Sequence, residues 1–424
     1  MPKKRVNPRN LTLVHSTPAL PEPATLTTID LFSGAGGITE GFREARYRCL
    51  YANDLMPEAM ETFAANHKGA MTDCRRIELV DPAVVRRKLG LKRGALDVLV
   101  GGPPCQGFSI NAPSRFLEDS RNVLFKDYVR FLAEFQPKAF LFENVPGLLS
   151  LGDGKVLDLI LDEFVRLDYH VTVKILFAAH YGVPQERWRL ILIGSRFGEI
   201  APPEPTHYAT GRANFRSAGL TFQLTESDAG RLQPAVTVGE AIGDLPRLSM
   251  GEGAETIGYT TMFPESDYGQ AMRSPDGYTF NHYAAKLSKQ NAERMLHVQP
   301  GGSWRDIPHH LLPKGMQRAR RSDHTKRYGR LRNEGLAGTV LTKCDPHWGT
   351  VFLPDQNRAL TVREAARFQS FPDTYEFRGS RVSQYEQVGN AVPVLLAKAI
   401  ATSIRTHLEA HGCVQAAAAE AVNG

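Results

Sequence analysis

The chain has 424 residues, 42% hydrophobic and 23% charged, which is enough for two globular domains of ordinary composition. A net charge of +6 favours a polyanionic partner, and no run of about 18 apolar residues occurs, which excludes a membrane-spanning helix of that kind. The five cysteines, Cys49, Cys74, Cys105, Cys344 and Cys413, form no CxxC pair and no zinc-ligand spacing, so neither a disulfide framework nor a metal knuckle is expected.

Residues 1–24 carry Lys3-Lys4-Arg5 and scattered Pro and Thr, and read as a flexible, solvated arm. They lack the apolar core and cleavage site of a signal peptide. Thr27 to Phe32 then reads as a strand, followed by Gly34-Ala35-Gly36-Gly37 and a helical stretch through Arg43. Arg48 to Asn53 is a second strand, and Pro57 to Asn66 a helix with proline in its first turn. Leu96 to Val100 has the apolar run of a buried strand. Asn122 to Phe135 is helical, Ala139 to Phe142 a strand, and Lys155 to Leu167 helical. His170 to Ala178 and Arg189 to Gly194 are later strands. This alternation predicts an α/β sheet wound with helices on both faces.

At Pro202-Pro203-Glu204-Pro205 the pattern changes, and residues 199–357 predict a smaller irregular domain rich in Gly, Pro, Ser and Arg. The α/β pattern returns with a helix over Thr361 to Gln369, Thr361 as its N-cap, and with a last amphipathic helix over Pro393 to Ala410. The larger domain is therefore 25–198 completed by 358–410, with a loose tail over 411–424.

Five segments carry candidate chemistry. Asp30 to Gly37 is a glycine turn between a strand and a helix, where backbone approaches a ligand closely. Asp54 ends the second strand about 20 residues later, where a carboxylate suits a ribose diol, and Asp73 ends a third segment, where it suits an adenine amino group. Gly101-Gly102-Pro103-Pro104-Cys105-Gln106-Gly107 follows a buried strand. A lone cysteine is usually a small core residue, but Pro-Pro before it and Gly after it are poor core material, which makes Cys105 a rim nucleophile. Glu143-Asn144-Val145-Pro146 ends another strand, where a carboxyl group either caps the next helix or protonates a ring nitrogen. Gln185, Arg187 and Arg189 alternate, so they share one face of an extended segment and point either to solvent or into a site. Gln387 to Pro393 is read as opening the last helix, with Asn390 as its cap or a ligand contact.

Together with the run Arg363 to Pro372, these segments stand in the order found in the cytosine-5 DNA methyltransferases, and the chain resembles that family over residues 28–198 and about 336–405. The resemblance is closest to the bacterial restriction–modification type. It implies a doubly wound, Rossmann-like S-adenosylmethionine-binding sheet plus a target-recognition domain over 199–357. It also implies that Phe32, Gly34, Gly36, Asp54, Leu55, Asp73, Cys74, Pro104, Leu124 and Asn390 meet S-adenosyl-L-methionine. The family more often has Glu and a bulky aromatic where this chain has Asp54 and Leu55.

The implied chemistry begins with extrusion of a cytosine from double-stranded DNA. The Cys105 thiolate adds to C6, while a protonated Glu143 hydrogen-bonds N3. Arg187 and Arg189 steady the base and hold the thiol deprotonated, and Asn144 positions the loop or the base edge. Ser109 and Arg121 become phosphate contacts, and Asn111 fills the vacated space in the duplex. The basic cluster Arg318, Arg320, Arg321, Lys326, Arg327, Arg330 and Arg332 becomes a DNA-contacting surface. His297, His309, His310 and His324 lack metal spacing, so no metal is expected. The expected setting is a monomer in the bacterial cytoplasm, associated with the nucleoid, with or without a separate cognate endonuclease. The competing readings are a tRNA cytosine-5-methyltransferase, disfavoured by Gly107-Phe108-Ser109 after the Pro-Cys-Gln element, and a catalytically silent DNA-binding relative.

Overall fold

The computed structural model describes residues 26–104, 124–213, 215, 218–261, 264–320, 322–323 and 326–413. Seven strands form the main sheet: β1 (Leu26–Leu31), β2 (Tyr47–Asn53), β3 (Met71–Asp73), β4 (Val98–Gly101), β5 (Ala139–Asn144), β6 (His170–Phe177) and β7 (Trp188–Ser195). Their order is β3-β2-β1-β4-β5-β7-β6, with β7 antiparallel to both neighbours and the other pairs parallel. Strands β1 and β4 are buried along nearly their whole length, the mark of a sheet covered on both faces.

One face is covered by α1 (Gly37–Glu44) and α12 (Val394–Ala410), whose Ile38, Phe42, Leu396, Ile400 and Ile404 share a core with Val98, Val100 and Leu141. Gly41 allows the close approach of these helices, because a Cβ there would lie 2.5 Å from the Val394 carbonyl oxygen. The apolar length of the α12 region is thus explained by burial in this core. The other face is covered by α3 (Pro82–Lys88), α4 (Leu124–Phe135) and α5 (Lys155–Arg166). In α4, Tyr128, Phe131, Leu132 and Phe135 recur at helical spacing and all are buried. α2 (Pro57–Asn66) begins with its proline at the first helical position.

Chain order reverses beside β1, which has β2 on one side and β4 on the other. That reversal opens a crevice at the carboxyl ends of these strands, the position where open α/β sheets hold ligands.

Residues 199–357 hold short elements in otherwise irregular chain. They contain α6 (Glu226–Ala229), α7 (Val238–Ile242), α8 (Asp267–Met272), α9 (Lys289–Leu296) and the two-stranded pairs β8 (His207–Tyr208) with β9 (Gln233–Pro234), β10 (Gly253–Gly258) with β11 (Tyr278–Tyr283), and β12 (Gly329–Arg330) with β13 (Thr350–Phe352). Val238, Tyr268 and Met272 pack with Leu331, Leu353 and Leu360, and with Phe368 of α10 (Val362–Phe368). Thr361 caps α10 in a reciprocal capping box with Glu364.

The seam between this region and α10 is held by buried guanidinium groups. Arg358 makes a double contact with Glu364, and Arg367 binds both Asp373 and Asp244. Arg363 donates to the carbonyls of Phe280 and Pro372.

Two readings of the sequence need correction. Gln387 to Asn390 does not open the last helix; it closes a preceding one, α11 (Arg381–Asn390). α12 starts after Pro393, which is its N-cap, so Asn390 caps nothing there. Pro393 lacks an N–H and disfavours helical geometry at the residue before it, which separates the two helices. The short α3 was not read at all, although Asp81 accepts from the Ala83 N–H as its cap and Pro82 follows at the first position.

Candidate active site

The glycine turn leaves β1 through Phe32 at φ 57°, Gly34 at φ 52° and Gly36 at φ 93°. The Gly34 N–H donates to Asp54 at 2.8 Å, and the Met56 N–H donates to the other Asp54 oxygen at 2.9 Å. Asp54 therefore bridges the ends of β1 and β2. Burial raises its pKa, opposed by these backbone donors. A Cβ built on Gly34 meets nothing within 4 Å among the described residues, so the turn is open to them on that side. Leu55 beside it is 61% exposed, and Cys74 Sγ lies 3.7 Å from the Leu55 carbonyl.

Asp73 completes this edge. Its carboxylate takes two bonds from Arg75 and one from the Tyr51 hydroxyl, and these donors, Arg75 first, lower its pKa. Pro104 is exposed, and Leu124 is half-buried against the core. Asn390 is exposed at the end of α11, and the following Ala391 and Val392 lie against Gly37 of the turn. Gly36 is placed differently. Its Cα faces His67 and Tyr375, where a Cβ would come within 2.7 and 2.8 Å of their polar atoms.

At the end of β5, Glu143 forms an ion pair with Arg189 at 2.5 Å, and both side chains are about one-eighth exposed. A Cβ on Gly102 would lie 2.7 Å from the second Glu143 oxygen. Glycine at this position lets the Gly102–Pro104 segment cross directly over the carboxylate. Asn144 donates to the Pro103 carbonyl at 3.1 Å and accepts from the Val145 N–H at 2.8 Å. The segment so held runs on to Cys105, which lies outside the described residues, as do Gln106, Ser109, Asn111, Arg115 and Arg121.

The three alternating residues before and in β7 part company. Gln185 is fully buried: its amide donates to the Phe368 carbonyl and to Gln369, and its oxygen accepts from the Val340 N–H. Arg187 is 2% exposed and donates to the carbonyls of Gly389 and Ala391 at 2.9 and 3.0 Å. Burial and the neighbouring Arg189 cation push the Arg187 pKa down, against the attraction of Glu143. Of the three, only Arg189 pairs with Glu143.

The basic cluster of the middle region also divides. Arg330 is buried, and its guanidinium donates to the carbonyls of Val298, Met295 and Leu353, so it does not belong to an exposed surface. Lys326 pairs with Glu186 at 2.7 Å. Arg327 lies 4.9 Å over the ring of Trp348, which is 56% exposed. Arg321 and His324 lie outside the described residues. A cleft of about 660 Å³ lies behind the turn, lined by Glu40, Arg43, His67, Tyr278 and Tyr375 among others and by none of the rim residues expected to meet a cofactor.

Sequence reasoning missed Gly102, whose role follows only from its distance to Glu143. It also missed His67 and Tyr375, which approach the turn from far along the chain. Gly102 stands within the Gly101–Gly107 segment, and its place there was the available signal.

Three comparisons bear on this site. A family model described as C-5 cytosine-specific DNA methylase matches residues 26–406. The Type II methyltransferase M.AgeI of Thalassovita gelatinovora is 36% identical over 90% of this chain and 99% of its own length. M1.HphI of Haemophilus parahaemolyticus, also a Type II methyltransferase, is 37% identical over 90% of this chain and 87% of its own. Among solved structures, a putative DNA modification methyltransferase encoded within an E. coli prophage superposes with a TM-score of 0.66 at 23% identity, covering 91% of this chain and 99% of that one.

Proposed function

The chain belongs to the C-5 cytosine-specific DNA methylase family and is a DNA (cytosine-5)-methyltransferase, and from that premise we propose that it methylates C5 of a flipped-out cytosine in double-stranded DNA, with Cys105 as nucleophile and S-adenosyl-L-methionine as donor. The observation that carries this reading is the Glu143–Arg189 pair beneath the Gly102–Pro104 segment, on the same sheet rim as Asp54 and the open side of Gly34.

The rim fits the cofactor. A carboxylate offers about four lone-pair sites, so Asp54 retains acceptors for two ribose hydroxyls beyond its two backbone donors. Leu55 and Cys74 would lie along the adenine, with Asp73 at its edge. Phe32, Gly34, Pro104, Leu124 and Asn390 would enclose the rest. Gly36 would contribute its backbone conformation rather than a contact. S-adenosylmethionine supplies a methyl group activated by its sulfonium.

The chain's own groups do the remainder. Cys105 sulfur bonds to C6 of the cytosine, which raises the electron density at C5. Glu143, on taking up a proton, donates to N3 as addition proceeds, and Arg189 fixes the orientation of that carboxyl group. Arg187, spent on the carbonyls of Gly389 and Ala391, positions α11 and the strand edge rather than touching the base. Asn144 holds the Pro103 carbonyl and so sets the path into Cys105. Once C5 carries the methyl group, transfer of the C5 proton to a base and departure of the Cys105 thiolate restore the ring. Residues 199–357 would read the target sequence, with Ser109, Arg121 and the exposed arginines on phosphates and Asn111 in the vacated stack.

The test uses duplex DNA carrying 5-fluorocytosine at the target, where fluorine blocks the final elimination. The wild-type protein is expected to form an adduct stable to denaturation, and Cys105→Ala to form none. An adduct that survives the substitution would remove Cys105 from the nucleophile's role.

A further inference from the structure

The glycine turn is gripped from both sides. In front, Asp54 holds the Gly34 N–H. Behind, the Tyr375 hydroxyl donates to the Ala35 carbonyl, and the His67 Nε2 lies 2.9 Å from the same hydroxyl. Ala35, His67 and Tyr375 are all buried, at 2%, 7% and 2% exposure.

Proton counting fixes the direction of this chain. A carbonyl only accepts, so the single Tyr375 proton goes to Ala35. The His67 Nε2 must then carry a hydrogen and donate to the Tyr375 oxygen, since two lone pairs would repel at that distance. Burial pushes the His67 pKa down to about 4, so the ring is neutral, with its other nitrogen unprotonated. That nitrogen faces Glu40 at 3.9 Å, and Glu40 is itself held by two bonds from Arg43. The same His67 and Tyr375 atoms occupy the space that a Cβ at Gly36 would need.

We infer that Tyr375 and His67 are positioning residues for cofactor binding: they hold Ala35 and Gly36 from behind so that the Gly34 side of the turn stays in its ligand-ready shape. The inference rests on the reading that this turn binds S-adenosylmethionine. The link crosses more than 300 residues of sequence and joins the loop after α10 to β1, so the segment after the Arg363–Pro372 run bears on the cofactor without touching it.

A buried carbonyl that loses its donor leaves the turn under-determined. Tyr375→Phe is expected to weaken S-adenosylmethionine binding about tenfold in a calorimetric titration, with kcat at saturating cofactor within about twofold of wild type. His67→Gln, whose amide donates from a similar reach, is expected to bind like wild type, and His67→Leu like Tyr375→Phe. A titrated Kd does not depend on the fraction of active protein, so simple loss of folded enzyme would not mimic this result. Should Tyr375→Phe fail to fold, the His67→Gln and His67→Leu pair decides alone. Equal cofactor affinity in wild type and Tyr375→Phe, or equal affinity in the two His67 variants, would overturn the inference. A wild-type protein that binds no S-adenosylmethionine would instead overturn the reading of the site itself.

Discussion

The sheet rim and the seam around α10 both bury charge, and they do so to different ends. At the rim, Glu143 and Arg189 form one close pair that stays partly open to the crevice. In the seam, Arg358, Arg363 and Arg367 are fully enclosed, and their donors are matched to carboxylates and carbonyls from separate segments. A guanidinium with all its donors matched is a fastener; Arg189, which gives one bond to the Trp188 carbonyl besides its pair with Glu143 and keeps a side toward the crevice, can serve a reaction. The residue type alone does not separate the two cases. The partners do.

The sharpest way to break this comparison is at Glu143. Glu143→Gln removes the acid while keeping size and is expected to lower kcat by about two to four orders of magnitude, read as labelled methyl incorporation into DNA. A loss of less than tenfold would reduce Glu143 to a partner of Arg189. The fasteners predict the opposite signature. Arg330→Leu leaves the carbonyls of Val298, Met295 and Leu353 without donors and is expected to cost on the order of 3 kcal/mol of stability in denaturant unfolding, with the salt dependence of DNA affinity unchanged. Arg327→Ala, by contrast, should leave the unfolding midpoint in place and reduce the salt slope of DNA binding by about one. A reversed outcome for this pair would place Arg330, not Arg327, on the DNA.

The smallest effect concerns Asp30, buried in β1, whose pKa is raised by burial to about 7, with the Thr39 hydrogen bond opposing. Its folded-state pKa lies above the unfolded value, so the folded state binds the extra proton between about pH 4 and pH 7. The stability this gives is present below pH 4 and lost as pH rises through 7. Asp30→Asn is therefore expected to gain thermal midpoint relative to wild type by a few degrees between pH 5 and pH 8. A difference between the two proteins that stays flat over that range would contradict it.

Much of the sheet could be read directly, because its signals are local. The Pro57–Asn66 helix and Thr361 as a cap follow from residues a few positions apart. The rim residues Asp54 and Glu143 were legible because each ends a strand that shows in the sequence as a short apolar run. The bonding of Arg187 and Arg330 was not legible for a common reason: their partners are backbone carbonyls distant in sequence, which no side-chain pattern announces. Tyr375 was invisible on the same grounds. The break at Pro393 was visible in principle, but Gln387 to Asn390 was assigned to the helix after it instead of the one before.

One join within the fold limits how such a protein can be recombined. Ala337 pairs with Gln185, the Val340 N–H bonds the Gln185 side chain, and a Cβ on Gly389 would strike the Leu341 backbone. Residues 337–341 thus pack with the sheet-bearing part of the fold, although they lie within the irregular 199–357 stretch by position. A chimera that replaces the irregular region of this scaffold should place its downstream junction before Ala337; a junction later than Leu341 would import a strip of chain cut for another enzyme's bed.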